Sequence, residues 1–260
     1  MAREFQPYRN EADGYLPPDD VIFGRSSVMQ DLKRKLERIC SATVPVSLQG
    51  EVGVGKYILS RFIHRHSAGI DGPYVRVNCA TLSDPTPLLD LFAPRKWNLT
   101  GTAASDDGEK IHHRPGTLFL DEVTKLSPSL QRRLSQALAG YDHGETRDQQ
   151  KLCGKMHIIC ASTRNLRQEM KLGRFWRELF DRLVVVTVDV PPLRERLDDL
   201  PQLCEYLRAH YTTQVGAADT PFPDDLLARV LTYSWPGNIP ELQRFVCQYV
   251  ELGPDRCTVG

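Results

Sequence analysis

The sequence predicts an α/β protein, with a parallel sheet covered by helices on both faces and a small all-helical unit after it. Three observations carry this. Short apolar runs at 44–48, 74–77, 117–120, 156–161 and 183–190 alternate with stretches of helical periodicity, the pattern of a sheet buried on both sides. Beyond residue 190, helical segments at 198–211, 224–232 and 239–252 follow one another with no strand between them. Hydrophobic residues make up 41% of 260 and charged residues 25%, which suits a globular chain long enough to bury a core. The expected division is an arm or linker at 1–20, an α/β unit at 21–190 and a helical unit at 191–260.

Each element has its own signal. Residues 1–20 are polar and irregular, with Pro17-Pro18 and Asp19-Asp20. Ser26 or Ser27 is placed to cap a helix through about residue 39, whose apolar residues Val28, Leu32, Leu36 and Ile39 recur at helical spacing. The run 44–48 reads as a buried strand ending at Gly50, and a helix follows over 56–66. The stretch 96–115, with Asp106-Asp107-Gly108-Glu109-Lys110, reads as a long exposed insertion. Pro128 opens a helix to about residue 138.

Bulk charge narrows the function classes. There are 33 basic and 33 acidic residues, so no global positive field holds nucleic acid. Any DNA contact needs a local patch or a domain outside this chain. The seven cysteines are odd in number and none is spaced C-x-x-C. They read as reduced buried thiols rather than a disulfide frame or metal site. The seven histidines, His112-His113 among them, lack ligand spacing and read as surface residues. No signal peptide and no long apolar span is evident, so the expectation is a cytoplasmic protein without a membrane partner.

Two motifs carry chemistry. Gly50-Glu51-Val52-Gly53-Val54-Gly55-Lys56 fits G-x-x-x-x-G-K between a strand and a helix. Glycines let successive N–H groups turn toward phosphate oxygens, the helix N-terminus adds partial positive charge, and Lys56 reaches the β- and γ-phosphates. Tyr57 stands where a Ser or Thr usually holds Mg²⁺. Leu118-Phe119-Leu120-Asp121-Glu122 places two carboxylates at a strand's carboxyl end, where open α/β sheets bind ligands. Asp121 is expected to hold Mg²⁺, directly or through water, and Glu122 to polarise an attacking water. The expected ligands are ATP and Mg²⁺.

With these motifs the chain resembles the AAA+ ATPase domain of sigma-54-dependent transcription activators, the bacterial enhancer-binding proteins. Further stretches carry the resemblance: Val77-Asn78-Cys79-Ala80, Gly116-Thr117 ahead of the acidic motif, Pro191-Pro192-Leu193-Arg194-Glu195-Arg196, and Trp235-Pro236-Gly237-Asn238. The resemblance implies a P-loop AAA+ sheet followed by a helical lid, in a ring-forming ATPase, a hexamer for instance, that remodels RNA polymerase carrying a sigma factor. It implies that Asn78 restrains Glu122 until γ-phosphate arrives; the plainer role is a strand-end amide bonding backbone.

Four positions depart from the family pattern. The loop that touches sigma-54 reads GAFTGA in the family; here the aligned Trp97-Asn98-Leu99-Thr100-Gly101-Thr102 keeps only Thr100 and Gly101, which argues against sigma-54 contact. Thr163 stands where the sensor strand usually carries an amide. Arg182 matches the second arginine finger, with a surface salt bridge as its plainer role, while Trp176 replaces the first beside Arg174 and Arg177. Pro240 replaces the lid arginine, and Arg244, one helical turn on, is either its substitute or an ordinary exposed charge. Two functions follow. One is an ATPase ring driving transcription activation. The other is a degenerate nucleotide-binding module with little or no hydrolysis and no sigma-54 contact, acting with another polymerase holoenzyme. Family members usually carry a receiver before this domain and a helix-turn-helix after it, and neither is expected within these residues.

Overall fold

The protein is described by a computed structural model covering residues 16–67, 72, 74–82, 116–143, 156–217 and 220–253. Its strands are β1 (Val46–Gln49), β2 (Tyr74–Asn78), β3 (Thr117–Asp121), β4 (His157–Ser162) and β5 (Val186–Asp189). All pair in parallel, in the order β2-β3-β4-β1-β5. The helices are α1 (Asp19–Phe23), α2 (Ser27–Cys40), α3 (Lys56–His66), α4 (Pro128–His143), α5 (Leu166–Lys171), α6 (Arg177–Leu183), α7 (Leu200–Val215), α8 (Asp224–Thr232) and α9 (Asn238–Leu252). The insertion expected at 96–115, with its loop at Trp97-Asn98-Leu99-Thr100-Gly101-Thr102, lies outside the described residues.

Strand alternation sorts the core onto two faces. Phe119 of β3 joins Ile159 and Ala161 of β4 and Val46 and Leu48 of β1 in a core covered by α1, α2 and α3. Leu118, Leu120 and Cys160 point the other way, into a second core closed by Leu130, Leu134 and Leu138 of α4 and Leu179 and Leu183 of α6. A third cluster, centred on Trp235, Leu242 and Val246, holds α7, α8 and α9 together. Trp235 is 1% exposed and donates its indole N–H to Val230 O at 3.0 Å, so its one polar atom is satisfied inside an apolar cluster.

Several expected boundaries shift for local reasons. Strand β1 begins at Val46 because Pro45 has no N–H for the ladder. Strand β5 begins at Val186 because α6 runs on to Leu183. Within the expected arm at 1–20, Asp19 and Asp20 already form the first turn of α1. Their carboxylates suit that positive end, and the helix buries Val21 and Phe23, the latter edge-on to Phe62 at 4.8 Å. The expectation of surface histidines holds for His66 and fails for His157. His157 is 1% exposed, its Nε2 set 2.9 Å from Val44 O and its Nδ1 3.3 Å from Ser67 Oγ. His64 lies 2.8 Å from Thr117 Oγ1. Burial, with Arg61 and His157 nearby, lowers its pKa to about 4. The described cysteines are buried and unbridged, and burial pushes the Cys40 thiol up to about 11.

Ser26 occupies the N-cap position of α2 but makes no side-chain cap. Its hydroxyl donates instead to Asp199 Oδ2 at 2.7 Å, while the N–H groups of Arg25 and Ser26 donate to Asp199 Oδ1 at 2.6 and 2.7 Å. A carboxylate just ahead of α7, 2% exposed, thus anchors the start of α2. Gly24 makes room for it: at φ +52, a Cβ there would lie 2.2 Å from Asp199 Oδ1. Replacing Asp199 by Ala orphans three donors and is expected to lower unfolding free energy by about 3 kcal/mol. Urea unfolding of the two proteins checks this, and equal midpoints would refute the anchoring role.

Candidate functional site

Parallel pairing brings the carboxyl ends of β1, β3 and β4 side by side, and each is followed by one part of the site. The phosphate-loop motif follows β1 and leads into α3. Gly53 and Gly55 have φ of +78 and +103, the left-handed region that glycine enters without strain. A Cβ at Gly55 would meet nothing within 4 Å, so the loop there faces open space. A Cβ at Gly53 would lie 2.6 Å from Pro240 Cδ and 2.9 Å from Gly237 O. Pro240 therefore packs directly on the loop, where it reaches backbone and has no charge to offer.

The loop's carbonyls are all taken. Lys56, 7% exposed, donates its Nζ to Gly50 O and Glu51 O at 2.8 and 2.9 Å. Asn238 Nδ2 donates to Val52 O at 2.9 Å, Ile239 N to Gly53 O at 3.2 Å, and Arg196 Nη2 to Val54 O at 2.9 Å. Leu59 N takes Gly55 O at 3.0 Å within the helical ladder. Among the described residues, the N–H groups of Gly53, Val54, Gly55 and Lys56 meet no protein acceptor. The loop thus turns its acceptors toward protein and leaves its donors at the N-terminus of α3, where the helix dipole adds positive potential. This is the polarity an anionic phosphate requires.

Glu51 completes the junction. Arg194 grips it bidentately, Nη2 to Oε1 at 2.6 Å and Nη1 to Oε2 at 2.8 Å, and Asn238 Nδ2 approaches Oε2 at 3.3 Å. These donors, the guanidinium above all, hold the Glu51 carboxyl down at about 2. Asn238 itself is fully buried at φ +53 and accepts Leu193 N at 2.8 Å through Oδ1. Sequence reading singled out the stretches containing Arg194, Arg196 and Asn238 only as marks of resemblance. Their side chains prove to be the ones that hold the loop.

The acidic motif follows β3. Glu122 sits at φ +53, and its carboxylate is held on two sides: Thr163 Oγ1 donates to Oε2 at 3.0 Å, and Lys56 Nζ stands 3.8 Å from Oε1. Burial lowers the pKa of Lys56, while the charges of Glu122 and Asp121 act to raise it. At two of the expected positions the side chain is engaged by another partner. Asn78 is paired with Asp121 in the sheet register and, among the described residues, makes no hydrogen bond to Glu122. Its Oδ1 accepts Ala80 N at 3.0 Å and caps the short turn after β2, while Thr163 and Lys56 are the side chains on Glu122. Asp121 does not present a free carboxylate to a metal. Its Oδ2 accepts Arg76 Nη2 at 2.6 Å, and the Tyr57 hydroxyl that replaces the usual Ser or Thr faces Arg61 Nη1 at 3.5 Å, one turn further along α3. The residues present fit a triphosphate and do not fit the usual Mg²⁺ pair.

The remaining expected residues are dispersed. Arg182 is half-buried in the last turn of α6. Trp176 donates its ring N–H to Glu178 at 2.9 Å beneath the Arg132 guanidinium, 4.6 Å from the ring centre. Arg174 lies 3.8 Å from Glu169 and Arg177 3.8 Å from Asp181, both on exposed side chains. Arg244 is exposed on α9, one turn beyond Pro240. Among the described residues, no helix is long and apolar enough to cross a membrane.

A parallel sheet with a glycine loop cradled at a helix N-terminus and an acidic pair on the neighbouring strand defines a P-loop protein of the AAA+ class, completed by a helical lid. The chain belongs, more narrowly, to the family described as the sigma-54 interaction domain, which it matches over residues 22–189, and it matches the AAA+ ATPase lid domain over 194–257. It is 34% identical over 231 residues to the transcriptional regulatory protein ZraR of Klebsiella oxytoca, covering 89% of this chain and 52% of that one. It is 34% identical over 251 residues to the anaerobic nitric oxide reductase transcription regulator NorR of Salmonella agona, covering 93% and 50%. Among solved structures, NtrX from Brucella abortus in complex with ATP is similar with a TM-score of 0.69 at 30% identity, over 90% of this chain and 51% of that one. The chain spans about half the length of these relatives.

Asn238→Ala would orphan Val52 O and Leu193 N, and is expected to cost about 3 kcal/mol in urea unfolding. Arg194→Ala removes a solvent-exposed pair and should shift the unfolding midpoint far less than Asn238→Ala does. The Glu51 carboxyl is held below its ordinary 4.5, so the pair stabilises in full above that value and the contribution is lost as pH falls toward about 2. The difference in unfolding midpoint between wild type and Glu51→Gln should therefore be constant at neutral pH and begin to shrink below about pH 4.5. A difference that grows with acid would contradict the assignment.

Proposed function

We propose that this chain is the ATP-binding AAA+ domain of a bacterial transcription regulator, and that it hydrolyses ATP slowly as part of a ring. The observation that carries this is the loop's polarity, with every carbonyl from Gly50 to Gly55 accepting from protein and the N–H groups of 53–56 meeting no protein acceptor among the described residues. ATP binding by NtrX, whose fold this chain shares, supports it. In this reading the N–H groups of 53–56 and the N-terminus of α3 hold the phosphates. Lys56 exchanges its loop carbonyls for β- and γ-phosphate oxygens.

Glu122 polarises the attacking water, and Thr163 orients its carboxylate. The water oxygen bonds to the γ-phosphorus as the bond to the β–γ bridging oxygen breaks. The departing water proton passes to the released phosphate, and ADP leaves with the bridging oxygen. Arg182, supplied by a neighbouring copy, is the group that stabilises charge on the transferring phosphoryl, and Arg244 is the lid's candidate for the same phosphates. Trp176 and Pro240 remove two cations that the family pattern supplies, and one finger in trans can be worth roughly 10³-fold in rate. That favours binding and assembly over fast turnover. The whole regulator would work in the cytoplasm on RNA polymerase with its sigma factor, and would reach DNA through a domain outside this chain. The unit boundary near residues 190–191 would be the hinge between the nucleotide-binding sheet and the lid.

Phosphate release measured against protein concentration tests the proposal. The rate per chain should rise with concentration as copies associate. Glu122→Gln should bind ATP as tightly as wild type while turnover falls by about 10²-fold, and Arg182→Ala should remove the concentration dependence. ATP binding without turnover at any concentration would favour the degenerate module instead.

A further inference from the structure

The side chain that meets Asp121 is a cation fixed in place by two contacts. Arg76 lies in β2 on the face it shares with Tyr74 and Asn78. Its guanidinium carbon sits 4.6 Å from the centre of the Tyr57 ring while Nη2 donates to Asp121 Oδ2 at 2.6 Å. Tyr57 is held in turn, its ring centre 6.2 Å from both Tyr74 and Phe119. Guanidinium is planar and always charged, so stacking and carboxylate pairing together pre-organise it. The Asp121 side chain is 15% exposed and that of Arg76 34%, which weakens solvent screening of the pair.

P-loop proteins ordinarily place a divalent cation between the hydroxyl after the loop lysine and the carboxylate that ends this strand. Here the hydroxyl position is a tyrosine turned along α3, and the carboxylate carries an arginine. A metal entering would have to displace a stacked, hydrogen-bonded guanidinium and sit against its charge. Asp121 also acts on Lys56, so Arg76 neutralises a carboxylate bordering the phosphate-binding lysine.

We infer that Arg76, braced on Tyr57, supplies the positive charge that Mg²⁺ supplies at this place in other P-loop proteins, so that this chain binds its nucleoside triphosphate without a divalent cation. The inference rests on the nucleotide-binding reading above and specifies its cation.

Equilibrium binding of methylanthraniloyl-ATP to the full chain, followed by anisotropy in MgCl₂ and in EDTA, tests both separately. Wild type should bind with affinities within about threefold of each other in the two conditions. Arg76→Ala exposes Asp121 to the phosphates, and should weaken binding in EDTA by about tenfold or more, with recovery when MgCl₂ is added. Arg76→Lys keeps a cation, and should stay within about threefold of wild type in EDTA. Circular dichroism and thermal melting establish that each variant is folded, and the lysine variant carries the test if the alanine variant is not. Wild-type binding that collapses in EDTA and returns with MgCl₂ overturns the inference and leaves the nucleotide-binding reading standing. An Arg76→Ala protein indistinguishable from wild type also overturns it. Absence of binding in both conditions overturns the nucleotide-binding reading and the inference with it.

Discussion

A tight glycine loop at the head of a helix has a fixed problem: its carbonyls and N–H groups cannot both face the same ligand. In this chain the lid settles the matter. Asn238, the Ile239 N–H and Arg196 take the carbonyls of Val52, Gly53 and Val54 in succession, and Lys56 takes the two before them. The donors are left together at the mouth of α3. Because buried backbone groups left without partners are costly, the loop keeps this polarity only while the lid is docked. The glycine loop and the lid interface are therefore one structure, in which Asn238, the Ile239 N–H and Arg196 meet the loop's carbonyls.

The same constraint explains the residue choices at the junction. Asn238 sits at positive φ, a conformation asparagine tolerates better than most residues, and there its amide faces two ways, donating to Val52 O and accepting from Leu193 N. Gly53 has no Cβ because Pro240 and the Gly237 carbonyl stand where one would be. Proline at this position carries no charge, and it fixes how closely α9 approaches the loop. Charge is redistributed rather than simply lost. Lys56 faces Glu122, Arg76 faces Asp121 and Arg194 faces Glu51, so each acidic group around the loop has its own basic partner.

Much of this was legible in the residues. The strand-loop-helix around Gly50 to Lys56 could be read because a glycine pattern, an apolar run and a helical period coincide there, and α3 spans the expected residues 56–66. The carboxylates at the end of β3 were legible for the same reason. What could not be read is which partner each polar side chain meets. Arg76 lies in a V-R-V stretch that reads as ordinary strand alternation, and only the placement of Tyr57 against β2 turns it into Asp121's partner. Asn78 resembles a switch residue in sequence, yet the geometry of the turn after β2 engages its oxygen with Ala80 N.

By itself, the sequence determined the class of fold, the loop that can cradle phosphates and the acidic pair beside it, because these depend on periodicity and on residues adjacent in the chain. The tertiary structure alone decided the pairings made across long separations: Asp199 at the head of α2, Asn238 on the loop carbonyls, Thr163 on Glu122 and Arg76 on Asp121. A hydrogen bond is specified by distances of a few tenths of an ångström and by direction. That information arises only when the sheet register and the docking of the lid bring distant residues together.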